Sequence, residues 1–91
     1  MPILRLAEHA IFDDTDDAGV ILDNRQGVYL SLNGVATVML RAALRHETLD
    51  ELIAELRGRI DAPETTLRAG YAKLVSQLGD QALLAGAEER R

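Results

Sequence analysis

The sequence predicts an α+β domain in which a three-stranded antiparallel sheet comes first and three helices follow. Strand-forming runs lie only in the first third of the chain, whereas apolar residues recur at helical spacing from Val35 almost to the end. Asn33-Gly34, at the boundary, stops the last strand run. With 91 residues, of which 47% are hydrophobic, the chain can bury one small core.

Three short runs account for the sheet. Residues 6–12 alternate loosely between apolar and polar, and the acidic loop 13–19 follows them. Residues 20–22 form the second strand and residues 28–32 the third. Between these two, residues 23–27 fit a type I turn with Gly27 in the left-handed region, so the three strands form a meander.

Each helix has a recognisable start. Asn33 can cap a first helix, because its side chain can accept a hydrogen bond from a backbone N–H two or three residues later. Thr48 and Glu51 have the spacing of a capping box at the start of the second helix. Pro63 suits the first position of a third helix, which is expected to end at Gly79. The expected domain covers residues 1–84, with Leu83 and Leu84 folding back, and residues 85–91 are expected to be a flexible tail.

Composition argues against several classes of protein. Without cysteine, neither disulfides nor thiolate zinc sites are possible. The net charge is −5, and no basic stripe marks a surface for nucleic acid. No apolar run approaches the ~20 residues that span a bilayer. We therefore expect a cytoplasmic protein that contacts neither nucleic acid nor membrane.

Signals for catalysis or metal binding are weak. Asp14, Asp16 and Gly19 imitate the start of an EF-hand, but Arg25 stands where the loop needs a bidentate glutamate. The two histidines are isolated, and no serine has a Gly-x-Ser-x-Gly setting. The sequence thus predicts a binding protein with no catalytic residues, no metal and no cofactor.

The order of elements outlines a winged helix-turn-helix with the sheet first, and from about Ala7 to Leu84 the chain resembles the PqqD-like family. Residues 27–33 (GVYLSLN), 34–36 (GVA) and 48–52 (TLDEL) carry the resemblance, together with bulky residues at Met39 and Leu40. Small stand-alone members from lasso-peptide gene clusters are the most similar in length. Residues 45–47 lack the Asp-Gly step of proteins that serve pyrroloquinoline quinone synthesis, which favours the lasso type.

The resemblance implies a function. In this family, which recognises leaders of ribosomally made precursor peptides, the leader adds as a fourth antiparallel strand to the edge of strand three and enters a groove beside helix three. It implies a monomer that presents the leader to a leader peptidase and then to a cyclase. The implied leader-binding residues are Val28, Tyr29, Leu30, Ser31, Leu32, Leu67, Gly70, Tyr71, Lys73, Leu74 and Gln77.

Two alternatives stay open. The apolar stripe of helix three, including Leu67 and Leu74, also suits an ordinary core, and Gly70 can be a helix glycine without a role in binding. A winged-helix transcription regulator would have the same elements. Such a protein reads DNA through the start of its recognition helix, where Glu64 and Arg68 offer one acid and one base.

Overall fold

The computed structural model describes residues 2–15 and 18–85, and it confirms the α+β architecture with the sheet first. Its elements are β1 (Ala10–Asp13), β2 (Val20–Asp23), β3 (Val28–Ser31), α1 (Gly34–Ala43), α2 (Leu49–Arg59) and α3 (Glu64–Asp80).

The sheet is an antiparallel meander in the order β1-β2-β3. β1 begins four residues later than the sequence predicts, at Ala10 rather than Leu6. The reason is local, because Ala10 N donates to Ala7 O (3.0 Å) and this turn interrupts the alternation. Leu6 forms an isolated bridge with Leu84 instead.

The β2–β3 turn follows the prediction. Gly27 has φ +72°, the left-handed conformation that glycine adopts without strain. The buried carboxylate of Asp23 accepts from Arg25 N (2.9 Å) and Gln26 N (3.1 Å), and Gly27 N donates to Asp23 O (2.8 Å). Asp23 therefore satisfies the backbone of the turn and fixes where β3 begins.

Each helix starts close to the predicted residue. Asn33 Oδ1 accepts from Ala36 N (2.8 Å), and Thr48 Oγ1 accepts from Glu51 N (3.2 Å), so both predicted caps are confirmed. Pro63 lies one position earlier than predicted, as the N-cap of α3 rather than its first helical residue. Its ψ of 155° is extended, and its carbonyl accepts from Leu67 N.

The core joins the inner face of the sheet to all three helices. Its deeply buried members include Ile21, Leu40, Leu52, Leu56, Leu67, Leu78 and Leu83. The last of these lies beyond α3, where the chain folds back as predicted. Ala7 N donates to Leu83 O (2.8 Å) and Ala85 N to Arg5 O (2.9 Å). Residues 86–91 of the predicted tail lie outside the described residues.

Candidate functional site

The backbone of β3 alternates between β2 and the outer edge of the sheet. Leu32 N donates to Gly19 O (2.9 Å), and the strand register continues this pairing as Leu30 with Ile21 and Val28 with Asp23. In an antiparallel pair, hydrogen-bonded and non-hydrogen-bonded pairs alternate. The N–H and C=O groups of Val28 and Leu30 therefore face β2, and those of Tyr29 and Ser31 face the edge.

The edge of β3 is not paired within the part of the chain that the structure describes. The sheet ends at β3, and no described residue forms a bridge on its outer side. Two of its large hydrophobic side chains are well exposed, Val28 at 48% and Tyr29 at 70%. Unpaired edges are templates for a further strand, so this edge can accept an extended chain.

Beside this edge, a groove of about 190 Å³ lies between the first half of α1 and residues 70–77 of α3. It begins at Asn33, two residues after β3 ends. Its lining residues are Asn33, Val35, Ala36, Met39, Gly70, Lys73, Leu74 and Gln77. Four of the six site residues predicted on α3 are thus brought together.

The other predicted residues have different places. Leu67 is buried in the core and does not line the groove, while Leu74 is buried but forms part of its floor. Tyr71 is partly buried against the core, and this burial raises the pKa of its hydroxyl. Leu32 is buried at the end of β3, and Leu30 is partly buried. The core interpretation therefore holds for Leu67, while the four groove-lining residues of α3 stay predicted as leader-binding residues.

A hydrogen-bonded corner fixes the groove to the sheet edge. Thr37 Oγ1 accepts from Gly19 N (2.8 Å) and donates to Asn33 O (2.8 Å), and the residue is fully buried. Gly19 O in turn accepts from Leu32 N at the end of β3. Because these bonds link the start of β2, the end of β3 and the start of α1, the edge and the groove keep one relative position.

Charges near the groove are few. Lys73, the only lysine in the chain, is exposed on its rim. Arg68 is engaged elsewhere, since its guanidinium donates to Glu64 (2.7 Å) and to Asp50 (3.0 Å), which raises its pKa. Among residues 2–15 and 18–85, no three His, Cys, Asp or Glu residues cluster as metal ligands would. No helix in the same ranges is long and apolar enough to cross a membrane.

Two parts of this surface were missed at the level of sequence. The first is the α1 side of the groove, formed by Val35, Ala36 and Met39, which are predicted as helix but not among the leader-binding residues, although the cap at Asn33 fixes which side chains follow the strand edge. The second part is an open depression of about 490 Å³ on the outer face of the sheet. Its lining residues are Ile11, Asp13, Val20, Leu22, Tyr29 and Ser31. The alternation of residues along the three strands could have indicated which side chains share this outer face.

Two solved structures share this fold. TbiB1 in complex with the TbiA(beta) leader peptide superposes with a TM-score of 0.79 at 17% sequence identity, over 91% of this chain and 96% of that one. Lasso peptide synthetase B1 complexed with the leader peptide gives a TM-score of 0.78 at 25% identity, over 89% of this chain and 95% of the other. Among curated proteins, none matches the chain.

The sequence itself matches one protein family. Residues 18–84, which are well over half of the chain, match the family of coenzyme PQQ synthesis protein D (PqqD). The match begins just before β2 and ends at Leu84, so it includes β3, the groove and the whole of α3. With its sheet-first order of elements and its PqqD-type sequence over this span, the chain belongs to the PqqD family.

Proposed function

We propose that this protein captures the leader segment of a ribosomally made precursor peptide by strand addition to β3. One observation carries the proposal: the backbone N–H and C=O groups of Tyr29 and Ser31 face the open edge of the sheet, beside the groove of α3. One structure of the same fold, 25% identical to this chain, is a lasso peptide synthetase B1 complexed with its leader peptide. The same kind of ligand fits the edge described here.

Strand addition explains how affinity and selectivity divide between backbone and side chains. The N–H and C=O groups of Tyr29 and Ser31 bind the peptide main chain, which any sequence offers. Alternate peptide side chains then point to the inner side of the sheet, past Val28 and Leu30 and towards the groove. Selectivity comes from the pockets that these side chains enter.

The groove residues have distinct roles in this proposal. Leu74 forms an apolar floor, and at Gly70 no side chain projects from α3 into the groove. Lys73 and Gln77 lie exposed on the rim, where they can bind polar or acidic groups of the leader. Leu67 and Tyr71 support the floor from the core side. Buried side chains thus set the shape, and exposed ones read the flanks of the peptide.

The protein itself performs no bond cleavage in this scheme. It acts as a cytoplasmic monomer that holds the leader for a separate leader peptidase, and a cyclase acts on the product afterwards, as in lasso-type peptide biosynthesis. Its contribution is to raise the local concentration of the precursor at the enzyme.

Isothermal titration calorimetry with the leader of the precursor encoded beside its gene tests capture directly. We expect one leader per chain, and a scrambled leader of the same composition should give no heat. Presentation is tested separately, by adding the protein to the peptidase and the precursor and measuring the cleavage rate. The proposal would be overturned if high micromolar leader gave no heat and did not compete with the precursor for the protein.

A further inference from the structure

We infer that Tyr29 is a second specificity determinant, which reads one leader residue on the outer face of the sheet. This inference rests on the proposed strand addition and deepens it. The groove beside α3 is reached from the inner side of the sheet, whereas Tyr29 projects from the opposite face. Recognition would then use both faces of the added strand.

An apolar row crosses the outer face and ends at Tyr29. Ile11 pairs with Leu22, and Leu22 pairs with Tyr29, so the three side chains lie side by side across the sheet. Their exposed fractions are 49%, 37% and 70%, in that order. Leu22 and Tyr29 form a non-hydrogen-bonded pair, in which side chains lie closest. The row ends at Ile11 on the β1 edge and at Tyr29 on the β3 edge, so Tyr29 is the member whose flank meets a strand added to β3.

A strand added to β3 extends this row by one residue. Paired residues on neighbouring strands project to the same face, so the peptide residue opposite Tyr29 points to the outer face. Its two neighbours in the peptide point to the inner side, towards Val28 and Leu30. A large apolar or aromatic residue opposite Tyr29 would cover the ring and continue the row.

Of the described side chains on the outer face, Tyr29 is the one placed to make this contact. Leu22 and Ile11 lie one and two strands further from the edge, at a spacing of about 4.8 Å per strand. The second row that reaches the edge consists of Asp13, Val20 and Ser31, and it ends in a small polar side chain. The outer face thus selects strongly at one peptide position and weakly at the position opposite Ser31.

A change of specificity is the sharpest test. Random ten-residue peptides made by mRNA display are selected on the immobilised protein, on Tyr29→Lys and on Ile11→Lys. Both substitutions add the same cation to the same exposed row, and circular dichroism verifies the fold of each. We expect the wild-type protein to select a large apolar residue at the position between the two inner-facing ones, and Tyr29→Lys to select Asp or Glu at that position alone. Ile11→Lys should select the wild-type pattern.

Affinities of single peptides then measure the contact. With a selected peptide and its alanine variant at the outer position, a double-mutant cycle with Tyr29→Ala should give a coupling of roughly two- to ten-fold in Kd, as cross-strand aromatic pairs do. An unchanged preference in Tyr29→Lys, or the same shift in Ile11→Lys, would overturn the assignment to Tyr29 while leaving strand addition intact. Failure of the wild-type protein to select any peptide would overturn strand addition itself.

Discussion

Met39 lies across Gly70, and the two residues together form part of the groove between α1 and α3. A Cβ built on Gly70 would be 2.9 Å from Met39 Cε and 3.6 Å from Met39 Sδ. Met39 is only 3% exposed, and the atom nearest to position 70 is the terminal methyl group of its flexible side chain. The end of the Met39 side chain therefore occupies the space that a side chain at position 70 would take, and the depth of the groove depends on the conformation of Met39.

Gly70→Ala sets helix propensity against this contact. Alanine stabilises a helix by about 1 kcal/mol relative to glycine, while the contact displaces only the flexible end of Met39. We expect urea unfolding to show a gain in stability below ~1 kcal/mol. In Gly70→Ala combined with Met39→Leu, which lacks the Cε atom, the effect of the alanine should reach the full propensity value. A loss of stability in Gly70→Ala would mean that Met39 cannot shift.

Proline along β3 should divide the strand into two alternating classes. Tyr29→Pro and Ser31→Pro remove edge-facing donors, so the fold should survive while leader affinity falls about two- to ten-fold relative to the alanine variants. Val28→Pro and Leu30→Pro remove donors to β2 and should lower the urea midpoint. Circular dichroism and calorimetry on all four, with alanine controls, measure both effects. Wild-type-like affinity in the folded edge variants would show that the peptide does not pair with β3.

The corner at Thr37 should matter for stability. Thr37→Val keeps the shape of the side chain but leaves Gly19 N without its acceptor, and an unsatisfied buried N–H costs about 1–3 kcal/mol. We expect the free energy of unfolding to fall by that amount. Thr66→Val, an exposed threonine in the first turn of α3, serves as the matched control and should change stability little. Equal effects in the two variants would assign the loss to valine itself.

The carboxylate of Glu55 should make the fold sensitive to acid. Hydrogen bonds from Arg45 and His46, and a further one from Arg59, lower its pKa from 4.5 to about 2. Because the folded pKa lies below the unfolded one, this stabilisation is complete above pH 4.5 and is lost as the pH falls towards 2.

Urea unfolding at a series of pH values between 6 and 2 measures this loss. Glu55→Gln should be less stable than the wild-type protein at pH 6, and the difference should shrink as the pH approaches 2. Glu8→Gln, at an exposed position, is the control. If the stabilities of Glu55→Gln and the wild-type protein changed in parallel with pH, the hydrogen bonds to Glu55 would contribute no pH-dependent stability.

The transcription-regulator alternative predicts DNA binding, which we do not expect. Net charge is −5, and the one base near the start of α3, Arg68, is bonded to Glu64 and Asp50. Nonspecific duplex affinity at physiological salt should therefore be weaker than the ~10⁻⁴ to 10⁻⁶ M of basic domains. A gel shift at micromolar protein that weakens as salt is added would favour the regulator.

Local signals predicted most of the fold. Three short-range features were predicted from single residues. The side chains of Asn33 and Thr48 cap helices, and Gly27, which has no side chain, adopts the left-handed conformation. β1 begins later than predicted because residues 7–10 form a turn and Leu6 pairs with the distant Leu84, and alternation within one run reveals neither contact.

The candidate site was less predictable than the elements that build it. The resemblance to a known family supplied the edge and the α3 side of the groove, but the orientation of alternate residues in β3 depends on which pair is hydrogen-bonded, and a single strand does not carry that information. The filling of Gly70 by Met39 depends on the packing of α1 against α3. Such contacts follow from tertiary geometry rather than from local pattern.

The pairing of Leu6 with Leu84 brings the two ends of the described fold side by side, and neither residue belongs to β3. Adjacent ends of this kind permit circular permutation and insertion into a host loop. A Gly/Ser linker from residue 85 to residue 2, which keeps the buried Leu4, should close the chain, and the α2–α3 turn offers new termini. The domain, with its proposed leader-binding surface, can therefore be inserted into a loop of a host protein and held at both ends.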